Sequence, residues 1–156
     1  NILLNKNYKV IFRPHPITIY KEEKKIESLV KELSANNNFF IDKNPNSMNS
    51  ILEANYLISD WSGIAIEFIF LHKKKVIFLD INKKIRNNLY KEIRIKPFEE
   101  KIREDFGIIL NTENLNNIDQ LLKDEKVDLN ISDYLFINDE VPSSQKAIKY
   151  IYDIIN

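Results

Sequence analysis

"YLISDWSGIAIEFIFLHKKKVIFLD", residues 56–80, sets two short apolar runs on either side of a polar turn and a longer apolar segment. The runs "YLIS" at 56–59 and "VIFLD" at 76–80 are continuous rather than alternating in hydrophobicity, which is the pattern of strands buried on both faces. The intervening "SGIAIEFIFLHK" at 62–73 is helix-length and opens on Ser and Gly, residue types that start helices. Strand, helix and strand in succession predict a βαβ unit, whose two strands lie parallel and need helices to cover them.

The same alternation extends outward. "YKVIF" at 8–12 predicts a strand, and "KEEKKIESLVKELSANN" at 21–37 a helix with Ile26, Leu29, Val30 and Leu33 on one face. "FFID" at 39–42 and "SMNSILEAN" at 47–55 add a strand and a helix. Residues 81–105 are charged and broken at Pro97, and read as a loop in which Arg86, Tyr90 and Arg94 are candidates for phosphate or acceptor contacts. "FGIIL" at 106–110 is a further strand, "ENLNNIDQLLKDE" at 113–125 a helix, and "SSQKAIKYIYDIIN" at 143–156 a terminal helix capped by Ser143 or Ser144 with Ile148, Ile151 and Ile155 on one stripe. The expected fold class is α/β: one domain over residues 1–156, a Rossmann-like parallel sheet with helices on both faces.

Composition narrows the function. With 156 residues and 44% hydrophobic content the chain can bury a full core. Lys plus Arg and Asp plus Glu both number 23, so no long-range field selects nucleic acid, and any anion site must be built locally. The absence of cysteine excludes disulfides and thiolate metal sites and is compatible with a reducing cytoplasm. No apolar run approaches the ~20 residues of a spanning helix. Two separated histidines and no acidic cluster offer no protein cage for zinc, although a magnesium ion carried by a substrate diphosphate is compatible with the residues present.

Two loops carry chemistry. In "VIFRPHPI" at 10–17, Pro14 and Pro16 hold Arg13 and His15 extended beyond a strand end, at the edge where open α/β sheets bind ligands. In "ISDWSGIAIEF" at 58–68, a strand passes through a polar turn into a helix start near Ser62 and Gly63, where unpaired amides and the helix dipole favour a phosphate. Gly63 lacks the Cβ that would hold a phosphate off the backbone, and Glu67, one turn in, suits a ribose or polyol hydroxyl. Asp60 or Ser62 alternatively only caps the helix. Together the loops offer a cation, an imidazole, a hydroxyl and a helix start, a set suited to a diphosphate. His72, in "FLHKKKV", reads as a helix-end residue that complements the dipole with Lys73 to Lys75.

"FRPHP" followed by "YLISDWSGIAIEFIFLHKKKVIFLD" resembles the carboxyl-terminal domain of the CDP-glycerol glycerophosphotransferases, the teichoic acid polymerase and primase family. His15 matches the histidine of the family's Arg-any-His-Pro motif. Ser59, Asp60 and Ser62 match its Ser/Thr-Asp-Tyr-Ser-Ser motif, with Trp61 for the Tyr, Gly63 for the second Ser, and Glu67 in the acidic place. The resemblance implies one half of a GT-B fold, the half that holds a CDP-glycerol donor, with His15 catalytic at the donor phosphates and Arg13, Ser59, Asp60, Ser62, Gly63 and Glu67 in nucleotide and phosphate binding. It also implies a polyol-phosphate or lipid-linked acceptor of teichoic acid or capsule type, work at the cytoplasmic membrane face, and an amino-terminal half, with its own His-Gly motif, that these residues do not contain. Residues 1–7 then read as the tail of a helix that follows a further strand, and the isolated fragment is expected not to turn over. The rival readings are a GT-B glycosyltransferase or nucleotide-sugar epimerase holding UDP at the same helix start, and a noncatalytic interaction domain.

Overall fold

The computed structural model describes residues 1–83, 85, 87–92, 95–123 and 141–155. In chain order these form α1 (Ile2–Asn5), β1 (Val10–Phe12), α2 (Pro16–Lys21), α3 (Glu23–Leu33), β2 (Phe39–Ile41), α4 (Met48–Glu53), β3 (Ile58–Ser59), α5 (Ile64–His72), β4 (Val76–Leu79), α6 (Phe98–Phe106), β5 (Gly107–Leu110), α7 (Ile118–Lys123) and α8 (Ser143–Ile155). Every ladder is parallel, so the class is α/β with a Rossmann-like arrangement, as the continuous apolar runs predict.

β4 is the centre of the larger sheet, between β3 and β5, and its Val76, Ile77 and Phe78 are all buried. Alternation along the strand sends Val76 and Phe78 to one face, against Ile51 of α4, Phe68 and Ile69 of α5 and Ile102 and Phe106 of α6. Ile77 faces the other side, against Ile118 and Leu122 of α7 with Leu3 of α1. Helices therefore cover both faces.

The sheet is divided. β1 pairs with β2, and β3 with β4 and β5, but among the described residues no ladder joins β1 to β3. Val10 N–H donates to the Asn38 carbonyl and Asp42 N–H to the Phe12 carbonyl, which turns the intervening Ile11 backbone away from β2. Ile77 N–H donates to the Leu57 carbonyl, which likewise turns Ile58 away from β4. Between these two edges lies a cavity of about 320 Å³ lined by Val10, Ile11, Arg13, Ile58, Ile64 and Phe68 among others.

Several expected elements are corrected. The segment 81–105 is not all loop: a 3-10 turn occupies Asn88–Lys91, and α6 starts after Pro97 and buries Ile102 and Phe106, four residues apart, behind a charged outer face. Arg86 and Arg94 lie outside the described residues, and Tyr90 has the Lys83 ammonium 5.0 Å from its ring centroid. The helix expected over 21–37 is α3, shorter at both ends, and a further helix, α2, precedes it, for which Pro16 supplies a ready first turn. The helix expected over 113–125 is a 3-10 turn at Leu115–Asn117 running into α7. In α8 the first turn closes on the Pro142 carbonyl, with Ser143 already helical, and Ile148, Ile151 and Ile155 are exposed rather than packed.

Candidate functional site

β1 delivers the first loop. Past Phe12 the chain stays extended to His15 (φ −60°, ψ 140°), and Pro16 then opens α2. His15 is the N-cap: its Nδ1 accepts the Ile17 N–H at 3.1 Å. An accepting Nδ1 places the proton of the neutral imidazole on Nε2, so the exposed ring offers an Nε2–H donor.

Arg13 is engaged more deeply. Its Nη1 donates to Asp42 Oδ2 at 2.6 Å and its Nη2 to the Pro45 carbonyl at 3.0 Å. Asp42 also accepts from Ser50 Oγ and, at 2.8 Å, from the Asn44 N–H. The loop continues as a chain of side-chain caps, Asn46 N–H to Asn44 Oδ1 and Met48 N–H to Asn46 Oδ1, and ends with Ser47 Oγ 3.4 Å from Glu67 Oε2. Residues 42–47 thus tie the first loop to α5. Sequence reasoning passed over them, although the alternating Asp, Asn and Asn before Ser47 is a signal for this kind of turn.

The Ser50 hydroxyl, the Asn44 amide and the Arg13 guanidinium together lower the Asp42 carboxyl below its ordinary value. A carboxyl depressed on folding stabilises the fold above its unfolded value, about 4, and loses that contribution as pH falls through the folded value. The melting temperature should therefore fall between pH 5 and pH 3. Asp42→Asn should flatten the fall, and a profile identical to that of the parent would show that Asp42 carries none of it.

The second loop lies at the carboxyl end of β3. Ser59 is buried, and Asp60, Trp61 and Ser62 turn the chain into α5, whose N-cap is Gly63 in helical geometry (φ −60°, ψ −24°). The N-cap position thus falls on Gly63, which has no side chain to cap with, rather than on Asp60 or Ser62. The Ser62 carbonyl accepts from Ala65 N–H and the Gly63 carbonyl from Ile66 N–H, and the amides of Gly63 and Ile64, at the very start of the helix, have no acceptor within it. A Cβ built on Gly63 would meet nothing within 4 Å. Neither packing nor backbone angle requires glycine there.

Behind the turn stands Arg103 of α6, which sequence reasoning missed because its segment reads as a charged loop. Its guanidinium carbon is 4.1 Å from the Trp61 ring centroid and 4.4 Å from that of Phe78. Nη2 donates to the Leu79 carbonyl at 3.1 Å, and Nη1 is buried with no hydrogen-bond partner among the described residues. Burial lowers the guanidinium pKa, with the carboxylates of Asp80 and Asp60 acting in opposition. Trp61 is fixed at its other end, Nε1 donating to the Ile81 carbonyl at 3.1 Å.

The cavity beside β1 is lined by Arg13 of the first loop and by Ile64, the first residue of α5, whereas His15, Ser59, Asp60, Ser62, Gly63 and Glu67 are not among its lining residues. A family described as CDP-glycerol:poly(glycerophosphate) glycerophosphotransferase matches residues 2–135, a span that contains both loops. The chain belongs to that family. No curated protein and no solved structure matches it. Glycerophosphotransferases are transferases that draw on a nucleotide-linked donor, and the loops at 13–15 and 59–67 follow the carboxyl ends of β1 and β3. His72 of this glycerophosphotransferase chain lies away from the loops: its Nε2 is 2.8 Å from the Ile51 carbonyl and its ring rests on Phe68, 4.6 Å between centroids. Among the described residues no three His, Asp or Glu side chains gather as metal ligands, and no helix is long and apolar enough to cross a membrane.

Proposed function

We propose that residues 1–156 are the donor-binding half of an enzyme that moves glycerol phosphate from CDP-glycerol to a polyol-phosphate or lipid-linked acceptor of teichoic acid or capsule type. The observation that carries the reading is the start of α5 at a strand's carboxyl end, where the N-cap Gly63 has no side chain and faces open space. In the proposed reaction an acceptor hydroxyl attacks the β-phosphorus of the donor in line. The new P–O bond forms as the bond to the bridging oxygen breaks, CMP leaves with the bonding electrons, and the acceptor hydroxyl gives up its proton to solvent.

His15 Nε2–H and the amides at Gly63 and Ile64 meet the charge that builds on the donor phosphates, a role that depends on donors already in place. Arg13 holds the 42–47 loop and adds positive charge beside it. Ser59, Asp60 and Ser62 shape the turn, and Glu67 takes a ribose or glycerol hydroxyl in exchange for its bond to Ser47. The reading includes an amino-terminal half of the same polypeptide, which supplies the acceptor side, and places the complete enzyme at the cytoplasmic membrane face. Any magnesium ion would travel with the donor diphosphate.

Titration calorimetry with CDP-glycerol, CDP and UDP-N-acetylglucosamine tests the proposal, with Gly63→Ala as the informative variant. A methyl group facing open space should leave the melting temperature within about 2 °C, since surface changes of this kind stay near 0.5 kcal/mol. The same methyl group should weaken CDP-glycerol at least ~10-fold by holding the phosphate off the amides. Preference for the uridine ligand would transfer the chain to the sugar-nucleotide enzymes, and equal affinity in parent and variant would remove the ligand from α5.

A further inference from the structure

A buried guanidinium with an unpartnered nitrogen calls for a physical account, since desolvating a charge is expensive unless its donors are satisfied. Arg103 is only 9% exposed, yet Asp80 and Asp60 act on it through their charge and Nη1 has no hydrogen-bond partner among the described residues. What the guanidinium does touch is aromatic, with the Trp61 ring on one contact and the Phe78 ring on the other. Phe78 is fully buried in β4, so one wall of this stack is immobile and Trp61 is the wall it holds. Trp61 directly precedes Ser62 and Gly63, and its N–H reaches across to the Ile81 carbonyl at the end of β4.

We infer that Arg103 is a positioning residue: it clamps Trp61 against the end of β4 and so fixes the turn that presents the α5 amides to a donor diphosphate. The inference rests on the donor-site reading above. It places specificity for a well-formed anion site on a residue that stands behind the turn, under the aromatic ring of the motif. A flat guanidinium does this better than an ammonium, because it stacks on both rings while still reaching the Leu79 carbonyl.

The test compares the 156-residue chain with Arg103→Met and Arg103→Lys. Trp61 is the only tryptophan, so its fluorescence reports the clamp with no ligand present. Replacing a poorly satisfied buried charge by an apolar side chain of similar length is often neutral or stabilising, so Arg103→Met is expected to keep the parent melting temperature or exceed it. Acrylamide quenching of Trp61 should rise about 2-fold, and the Kd for CDP should rise about 10-fold. Arg103→Lys, which keeps the charge and loses the flat stack, should behave in the same way in quenching, and it replaces the Met variant as the test should that variant fail to fold.

A merely structural Arg103 predicts the reverse: a lower melting temperature with Trp61 quenching and CDP affinity unchanged, which would overturn the inference. If the parent chain binds no CDP, the donor-site reading fails on that result, and the clamp is decided by quenching alone. Increased quenching then upholds it and unchanged quenching overturns it.

Discussion

Alanine at position 107 is expected to be the most damaging single-methyl change in the chain. Gly107 joins α6 to β5 without a linker, and a Cβ on it would fall inside contact distance of the Arg103 carbonyl and lie 2.6 Å from Phe78 Cδ2. Neither neighbour can give way cheaply. The carbonyl is helix backbone, and Phe78 is fully buried between α5 and α6 in the centre of the core. Overpacking of a tight core costs about 1–3 kcal/mol and more where backbone must move, so a loss of at least ~3 kcal/mol is expected. For a domain of this size that corresponds to roughly 6–12 °C in melting temperature, read by circular dichroism. A drop under 2 °C would mean that the α6–β5 corner is far softer than its packing indicates. Set beside Gly63→Ala, the pair separates two uses of glycine: one position makes room for protein, the other for something that is not protein.

The second large effect belongs to His15, and its geometry demands a control. Its ring caps α2, so His15→Ala removes a cap, worth about 1 kcal/mol, along with any contact to substrate. His15→Asn restores an acceptor at the cap and removes the imidazole. Under the proposed function both variants are expected to lose at least ~100-fold in the rate of CMP release, as when a preorganised donor to a developing oxyanion is removed. The alanine variant alone should also melt about 2–4 °C lower. Activity restored by asparagine would reduce His15 to a helix cap.

These contrasts show what was readable before any coordinates. β3, α5 and β4 follow from their apolar runs because those runs supply the buried Ala65, Phe68, Ile69, Val76, Ile77 and Phe78, and burial is what such runs record. The turn at 59–63 was legible for the same reason, since its place between two clear elements left it few conformations. α6 was not legible: its face of Glu99, Glu100, Lys101 and Glu104 masks a two-residue apolar seam, and Arg103 sits among those charges while being buried itself. A charged residue's letter gives its solubility and not its environment. The engagement of Arg13 by Asp42 was also hidden, because 29 residues of sequence separate partners that parallel pairing of β1 with β2 brings together.

The divided sheet decides what holds the two loops in place relative to each other. A hydrogen-bonded ladder holds neighbouring strands at a fixed spacing of ~4.8 Å, and every atom attached to it inherits that tolerance. His15 and Ser62 have no such common ruler. Their separation is set by side chains around a 320 Å³ cavity and by the Ser50–Asp42 and Ser47–Glu67 bonds, all of which reorganise at far lower cost than a ladder. The molecule is therefore built as two stiff plates with a compliant joint, and the stiffness of that joint, more than the rigidity of either plate, sets how firmly a ligand touching both loops is gripped.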